Sequence, residues 1–265
     1  MTALRAIVLY GWRESLRRRV FAVIIVLTVL FVGLYALAAH FAFRDVANFA
    51  GGGVAQINPK AFTGGTMFGL AMFASLFLGS VLAVFLTLGV VRGDAESGLL
   101  QPLVVRPVGR GSTLLARFAG AAAVAAAFEI LLYLADVLVT DAIGGWTPDH
   151  LIGPGLALAF AVVVVAALSL LGSVFLAGTA QGIALFMVFG MGLTAGLLGQ
   201  IGHALGSDTL KSIAHDASWA LPFEALYQAG LHALTSSSFG VTTQIIKLGP
   251  FGGSQPAGVG LVVFA

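Results

Sequence analysis

Five blocks of this chain are each longer than 20 residues, strongly apolar and sparing in charge. They run at roughly 20–43, 66–91, 113–140, 151–177 and 181–205. A helix needs about 20 apolar residues to cross roughly 30 Å of hydrocarbon. Inside lipid a lone segment can satisfy its backbone groups only as a helix. Composition agrees, with 59% hydrophobic and 9% charged residues and a mean hydropathy of +1.03. Soluble domains carry about a quarter charged residues. The expected fold is all-α: a polytopic helical membrane protein with one transmembrane domain over residues 1–265.

A sixth apolar block starts near Pro256 and reaches Ala265. At helical rise it covers about half a membrane. A chain ending Val262-Val263-Phe264-Ala265 in mid-bilayer would leave its last carbonyls unsatisfied. The expectation is therefore a six-span bundle whose sixth span is truncated. The first block follows Arg17, Arg18 and Arg19, as a secretory leader would. It is too long for one, and Tyr35 to His40 offers no convincing cleavage site, so it is read as an uncleaved span.

Charge sets the orientation. With the N-terminus in the cytoplasm, Arg5, Arg13, Arg17, Arg18, Arg19, Arg92, Arg106, Arg110 and Arg117 lie inside, nine of the 13 basic residues. Arg44, Lys60, Lys211 and Lys247 lie outside. Such an asymmetry follows the positive-inside rule. The net charge of +2 then reflects topology and does not point to nucleic acid. The absence of cysteine excludes disulfides and thiolate metal sites.

Two flanking regions read as interfacial. In residues 1–19, Leu4, Ile7, Val8, Gly11 and Trp12 share a helical face opposite Arg5, Arg13, Glu14 and Arg17, which suits a helix on the inner leaflet. In the extracytoplasmic region 203–255, Trp219, Phe223, Leu226, Tyr227, Gly230 and Leu234 fall on one face. Glu224, Gln228 and His232 fall on the other. This predicts one short amphipathic helix at the outer interface, or a re-entrant one, with Pro222 in its first turn. Residues 48–65 and 235–255 read as loops.

The chemistry of a self-contained enzyme is missing. The sequence G-x-x-x-x-G-K-[ST], which would cradle phosphate, does not occur. His40, His150, His203, His215 and His232 are scattered, with no metal-ligand spacing. Gly190, Gly192, Gly196, Gly199 and Gly202 lie in an apolar span, where small residues form a packing face. No cofactor or metal is expected in this chain.

One span carries a polar stripe. Glu129 and Asp136 are seven residues apart, so both point the same way, about 10 Å apart along the axis. Tyr133 and Thr140 join them. A charge at this depth is costly, so the stripe should face protein or a cavity. Glu129, Tyr133 and Asp136 are candidates for a translocation lining or for packing. The alanines at 121–123 and 125–127 thin the same helix for close contact.

Residues 92–112 form the longest polar interruption between spans on the inner side. Asp94 and Glu96 suit a helix N-terminus and Pro107 marks an end. The run Glu96-Ser97-Gly98-Leu99-Leu100-Gln101-Pro102-Leu103, then Arg106-Pro107-Val108-Gly109-Arg110, resembles permeases of the type-2 ABC exporter family. The surrounding organisation resembles them too: an N-terminal amphipathic helix, six spans and a long outer region before the last. Leu99 and Gln101 depart from the family pattern, where Thr and an acidic residue are frequent.

The resemblance implies a transmembrane subunit of an ATP-driven exporter in the plasma membrane of a prokaryote. It implies pairing with a second permease subunit, and docking on a separate ABC ATPase that holds ATP and Mg. Asp94, Glu96, Ser97, Gly98, Pro102, Arg106, Pro107 and Arg110 would then form the ATPase-coupling segment. Two alternatives stand beside it: a proton-coupled secondary transporter using Glu129 and Asp136, and a non-transporting membrane assembly subunit.

Overall fold

A computed structural model describes residues 19–49, 59–91 and 110–235. Within them the chain is all-helical, with α1 Arg19–Phe49, α2 Pro59–Thr87, α3 Arg110–Gly144, α4 Ile152–Phe175, α5 Gly178–Leu205, α6 Asp208–Ala220 and α7 Pro222–Thr235. The first five contain stretches long and apolar enough to cross a membrane: Phe21–Val46, Pro59–Thr87, Gly111–Gly144, Ile152–Phe175 and Gly178–Gly202. They mark the chain as a multi-pass membrane protein. The expected interfacial helix at 1–19 and the sixth span from 256 lie outside the described residues, apart from Arg19, which opens α1.

Several boundaries differ from the sequence reading. The segment 48–65 is not all loop: α1 runs to Phe49 and α2 starts at Pro59. Proline is well placed there, because its missing N–H falls where a helix has no partner for it. At the other side of the bundle α3 already includes Arg110, Gly111 and Ser112.

The helices α2 and α4 form the centre, and α3 packs against both. Phe68, Met72 and Leu76 of α2 share one apolar core with Leu158, Val162 and Val165 of α4. Ala121, Ala122 and Ala125 of α3 are buried, as their small size allows. By contrast α1 buries little beyond Ile24, Tyr35, Ala39 and Phe43, while Val26, Val29 and Leu30 are exposed. Apolar exposure of this kind is what a lipid-facing helix shows, because lipid is no less apolar than the side chains.

Beyond α5 the single amphipathic helix expected from sequence is two helices. Gly206, at φ +66, ends α5, and Ser207 N–H bonds back to the Gly202 carbonyl at 2.9 Å. That six-to-one closure is a Schellman cap, which needs the left-handed glycine. The chain then runs back along α5. A Cβ at Gly202 would meet Leu210, and one at Gly199 would lie 3.0 Å from Ala214 Cβ. The glycines from 192 to 202 thus form a packing face shared by two helices: Gly199 and Gly202 meet α6, Gly192 and Gly196 meet Phe223 and Glu224 of α7, and nothing lies within 4 Å of a Cβ at Gly190.

Leu221 then breaks the helix at φ −129, ψ 71. A residue before proline is pushed out of the α region, and Pro222 has no N–H to continue the ladder. The chain turns, and α7 climbs beside α4 toward the Gly144 end of the bundle. Its start is fixed by the Phe223 ring, stacked on Phe189 at 5.5 Å and 8°. Further along, a Cβ at Gly230 would lie against Met72, Ala157 and Pro154. Trp219 therefore belongs to the other arm of the hairpin from Phe223, and it is exposed. Glu224 and Gln228 do not face outward as expected. They are 5% and 9% exposed, because α7 is enclosed by α4, α5, α6 and α2.

Candidate functional site

Most of the buried polar side chains of this bundle fall into three groups. The first joins helix ends at the Arg110 side. Gly89, just beyond α2, takes φ +66 and directs its N–H to Gln181 Oε1 of α5 at 3.0 Å. The Gln181 amide nitrogen donates to the Thr87 carbonyl at 3.3 Å and to the Ser169 carbonyl at 2.8 Å. Thr87 in turn donates to Ser169 Oγ of α4 at 2.6 Å. Three helices are thereby tied through one wholly buried amide. Arg117 of α3 donates to the Val90 carbonyl at 2.6 Å, which ties the fourth.

The second group is the stripe on α3. Glu129, Tyr133, Asp136 and Thr140 are all buried, at 2% exposure or less. Ser75 of α2 donates to Asp136 Oδ2 at 2.5 Å. Thr140 donates to the Asp136 carbonyl at 2.7 Å and meets Tyr35 of α1 at 2.5 Å. The Glu129 carboxyl lies in space left by Gly79, where a Cβ would collide with it. Among the described residues neither Glu129 oxygen has a hydrogen-bond partner, and the same holds for Tyr133 OH and Asp136 Oδ1. The stripe thus faces protein, with Asp136 held and Glu129 unheld.

The third group sits on α7. Glu224, Tyr227 and Gln228 occupy one helical face by their spacing of three and four. Glu224 abuts Gly196 of α5, where any Cβ would strike its carboxyl. Gln228 hydrogen-bonds Glu224. Even so, Glu224 Oε1, Tyr227 OH and Gln228 Oε1 are buried without partners among the described residues. Glu224 lies outside the five candidate spans. Burial pushes its carboxyl up to about 7, the Gln228 bond pulling the other way. Burial, and then the nearby Glu224, push the Tyr227 hydroxyl up as well.

Between α2 and α5, on the Arg110 side, lies an apolar groove of about 660 Å³. Val84, Phe85 and Leu88 form one wall; Gly182, Ile183, Phe186 and Met187 form the other. Phe77 stands beside Phe186 and Phe189, its ring centroid 6.2 Å and 6.0 Å from theirs.

Of the residues singled out by sequence, Glu129, Tyr133 and Asp136 are brought together on one buried face. Arg110 is the first residue of α3. Asp94, Glu96, Ser97, Gly98, Pro102, Arg106 and Pro107 lie outside the described residues. Sequence reasoning missed Gln181, Ser169 and Ser75, whose only signal is a lone polar side chain within an apolar block. It also missed the burial of Glu224. A helix start at Pro222, directly after another helical stretch, was the available clue. In comparisons with known proteins the chain matches no family model, no curated protein and no solved structure.

Proposed function

We propose that this chain is the membrane-spanning subunit of an ATP-driven exporter of the type-2 ABC class. In this reading it pairs with a second permease subunit and docks on separate ATPase chains that bind ATP and Mg. The N-terminus and the segment 92–112 face the cytoplasm of a prokaryotic cell, and the α6–α7 hairpin folds back into the bundle from the outer side. The chain moves substrate and leaves hydrolysis to its partner.

The observation that carries the reading is the way the helix ends beside 92–112 are fastened. A coupling segment works only if a push on it moves the spans together. Here the end of α2 is bound to α4 and α5 through Gln181, and to α3 through Arg117. Force applied between Val91 and Arg110 would therefore reach four helices rather than bend one loop. In this reading the motif from Glu96 to Arg110, with its charges and two prolines, receives that force.

Co-purification tests this. The full chain, solubilised gently from its native membrane, should carry with it a protein bearing a phosphate-binding loop. A chain that purifies without any such ATPase, under conditions that keep it folded, contradicts the reading.

A further inference from the structure

The helix pair α5–α6 is attached differently from the rest of the bundle. α5 packs closely along α6 and only sparsely on α2, α4 and α7, whereas α7 packs extensively on α4. A break in the helical backbone stands at each end of the pair. Leu176 is extended before α5, at φ −112 and ψ 144, and Leu221 leaves the helical region after α6. The pair is thus an arm, tied at one end by the Gln181 amide. Its seam with α7 is built on Phe223, stacked on Phe189, and on Glu224, whose carboxyl sits against Gly196.

The Gly196 contact suits the neutral acid and not its anion. Glu224 Oε1 and Gln228 Oε1 are buried acceptors with no donor among the described residues. A carboxylate adds no donor to this face, whereas a protonated carboxyl adds one O–H. At Gly196 there is no room even for a Cβ beside Oε1, and a buried charge without solvent or a cation is costly. The surrounding helices do not bring that cation. α4 carries no titratable residue, and α2 carries only Lys60, beside Gly145 at the far end of α7. α5 carries only His203, about 10 Å beyond Gly196 along the helix. On α6, Asp208, His215 and Asp216 are exposed, and Lys211 pairs with Asp208 at 3.1 Å. On α7 itself His232 stands about two turns away, and burial raises the Tyr227 hydroxyl. Burial also pushes the Glu224 carboxyl up to about 7, so its ionisation falls near neutral pH.

We propose that α5–α6 is an arm latched by a proton: neutral Glu224 seats it on α7 at Gly196, and ionised Glu224 opens that seam, the arm swinging about its Gln181 end. Leu221 and Pro222 take up the motion, because the chain is already out of the helical ladder there. The latch does not depend on the exporter reading. That it answers to pH outside the cell rests on the orientation proposed above.

Distances between paired spin labels test this, with the purified full chain in lipid nanodiscs, which are open to buffer on both faces and hold no ATPase. The chain has no cysteine, so introduced pairs report alone. Ser212→Cys on α6 with Asp141→Cys on α3, both at exposed positions, measures the arm against the body. Leu138→Cys with Leu156→Cys, both exposed, measures the body alone. Between about pH 5 and about pH 8.5 a second, longer arm distance should grow about fivefold or more in population, while the body distance stays fixed. Glu224→Gln keeps the shape, stays neutral and should hold the acid-side distance throughout. Gly196→Ala places a methyl where the carboxyl sits and should show the longer distance already at about pH 5. An arm distance that does not change with pH in the wild type, or that changes equally in Glu224→Gln, would overturn the proposal. So would a Gly196→Ala protein with the wild-type distance on the acid side.

Discussion

Gln181, in the first turn of α5, accepts the backbone N–H of Gly89 at 3.0 Å across the bundle. That N–H lies just beyond the last turn of α2, and the Gln181 side chain is its acceptor. The same amide serves Thr87 and Ser169, so a single side chain satisfies groups from α2 and α4 at once. Gln181→Leu removes all of these partners while keeping the volume. It should destabilise the protein by about 3 kcal/mol, because buried groups are left unsatisfied. Thr87→Val, which loses the hydroxyl's bonds to Ser169, Ala83 and Val84 but leaves the Gln181 amide in place, should cost about 1 kcal/mol. Thermal unfolding in detergent measures both. A silent Gln181→Leu would mean that the helix ends are not tied as described.

The two carboxyls of α3 should respond differently to removal. Among the described residues the Glu129 oxygens have no hydrogen-bond partner, while Asp136 accepts from Ser75. Asp136→Leu should therefore lower folded yield and Tm more than Glu129→Leu, by about 1–3 kcal/mol. Glu129→Gln should assemble normally. A larger loss in Glu129→Leu than in Asp136→Leu would show that Glu129 is held by a group not yet identified.

The hairpin can be trapped chemically. The chain has no cysteine, so an introduced pair reports without background. The Cβ positions of residues 199 and 214 are 3.0 Å apart, against about 3.8 Å in disulfides, so a small shift suffices. Gly199→Cys with Ala214→Cys should form an intramolecular disulfide on mild oxidation. Gly190→Cys with Ala214→Cys should not, since nothing lies within 4 Å of a Cβ at Gly190. Two thiols at 199 and 214 that stay open to alkylation would place α6 elsewhere.

Much of this architecture is legible in the residues. Spans announce themselves because lipid imposes length and apolarity on every one of them. The stripe of Glu129, Tyr133 and Asp136 is legible because seven residues make nearly two turns, and a carboxyl at such depth must turn inward. The spacing of the glycines from 192 to 202 likewise marks a packing face. What escapes is the partner of each face. Gly196 does not reveal that Glu224 fills its notch, and Gln181 looks like any polar residue at a helix start. Periodicity carried Trp219 and Phe223 onto one helix, because a helical pattern continues smoothly through Leu221 even though Pro222 forces the backbone to turn there. Tertiary contacts and one proline decide these points.

Stability should depend on pH through Glu224. Its folded carboxyl is raised from the ordinary 4.5 to about 7, so the folded state binds the proton more tightly than the unfolded state. The stability it contributes is fully present below about pH 4.5 and is lost as pH rises through about 7. Tm should accordingly fall between about pH 5 and pH 8, and Glu224→Gln should flatten that slope and raise Tm at the alkaline end. An identical slope in wild type and Glu224→Gln would show that the acid is solvated.

The most direct measurement is ATP hydrolysis by the co-purified complex in liposomes, comparing wild type with Glu96→Ala and Arg110→Ala. Charge-assisted contacts across a desolvated interface are commonly worth a few kcal/mol. Both variants should insert and fold like the wild type, yet lose the ATPase subunit or at least tenfold of the hydrolysis rate. A wild-type complex that hydrolyses no ATP, or variants that bind the ATPase and hydrolyse at the wild-type rate, would contradict the account.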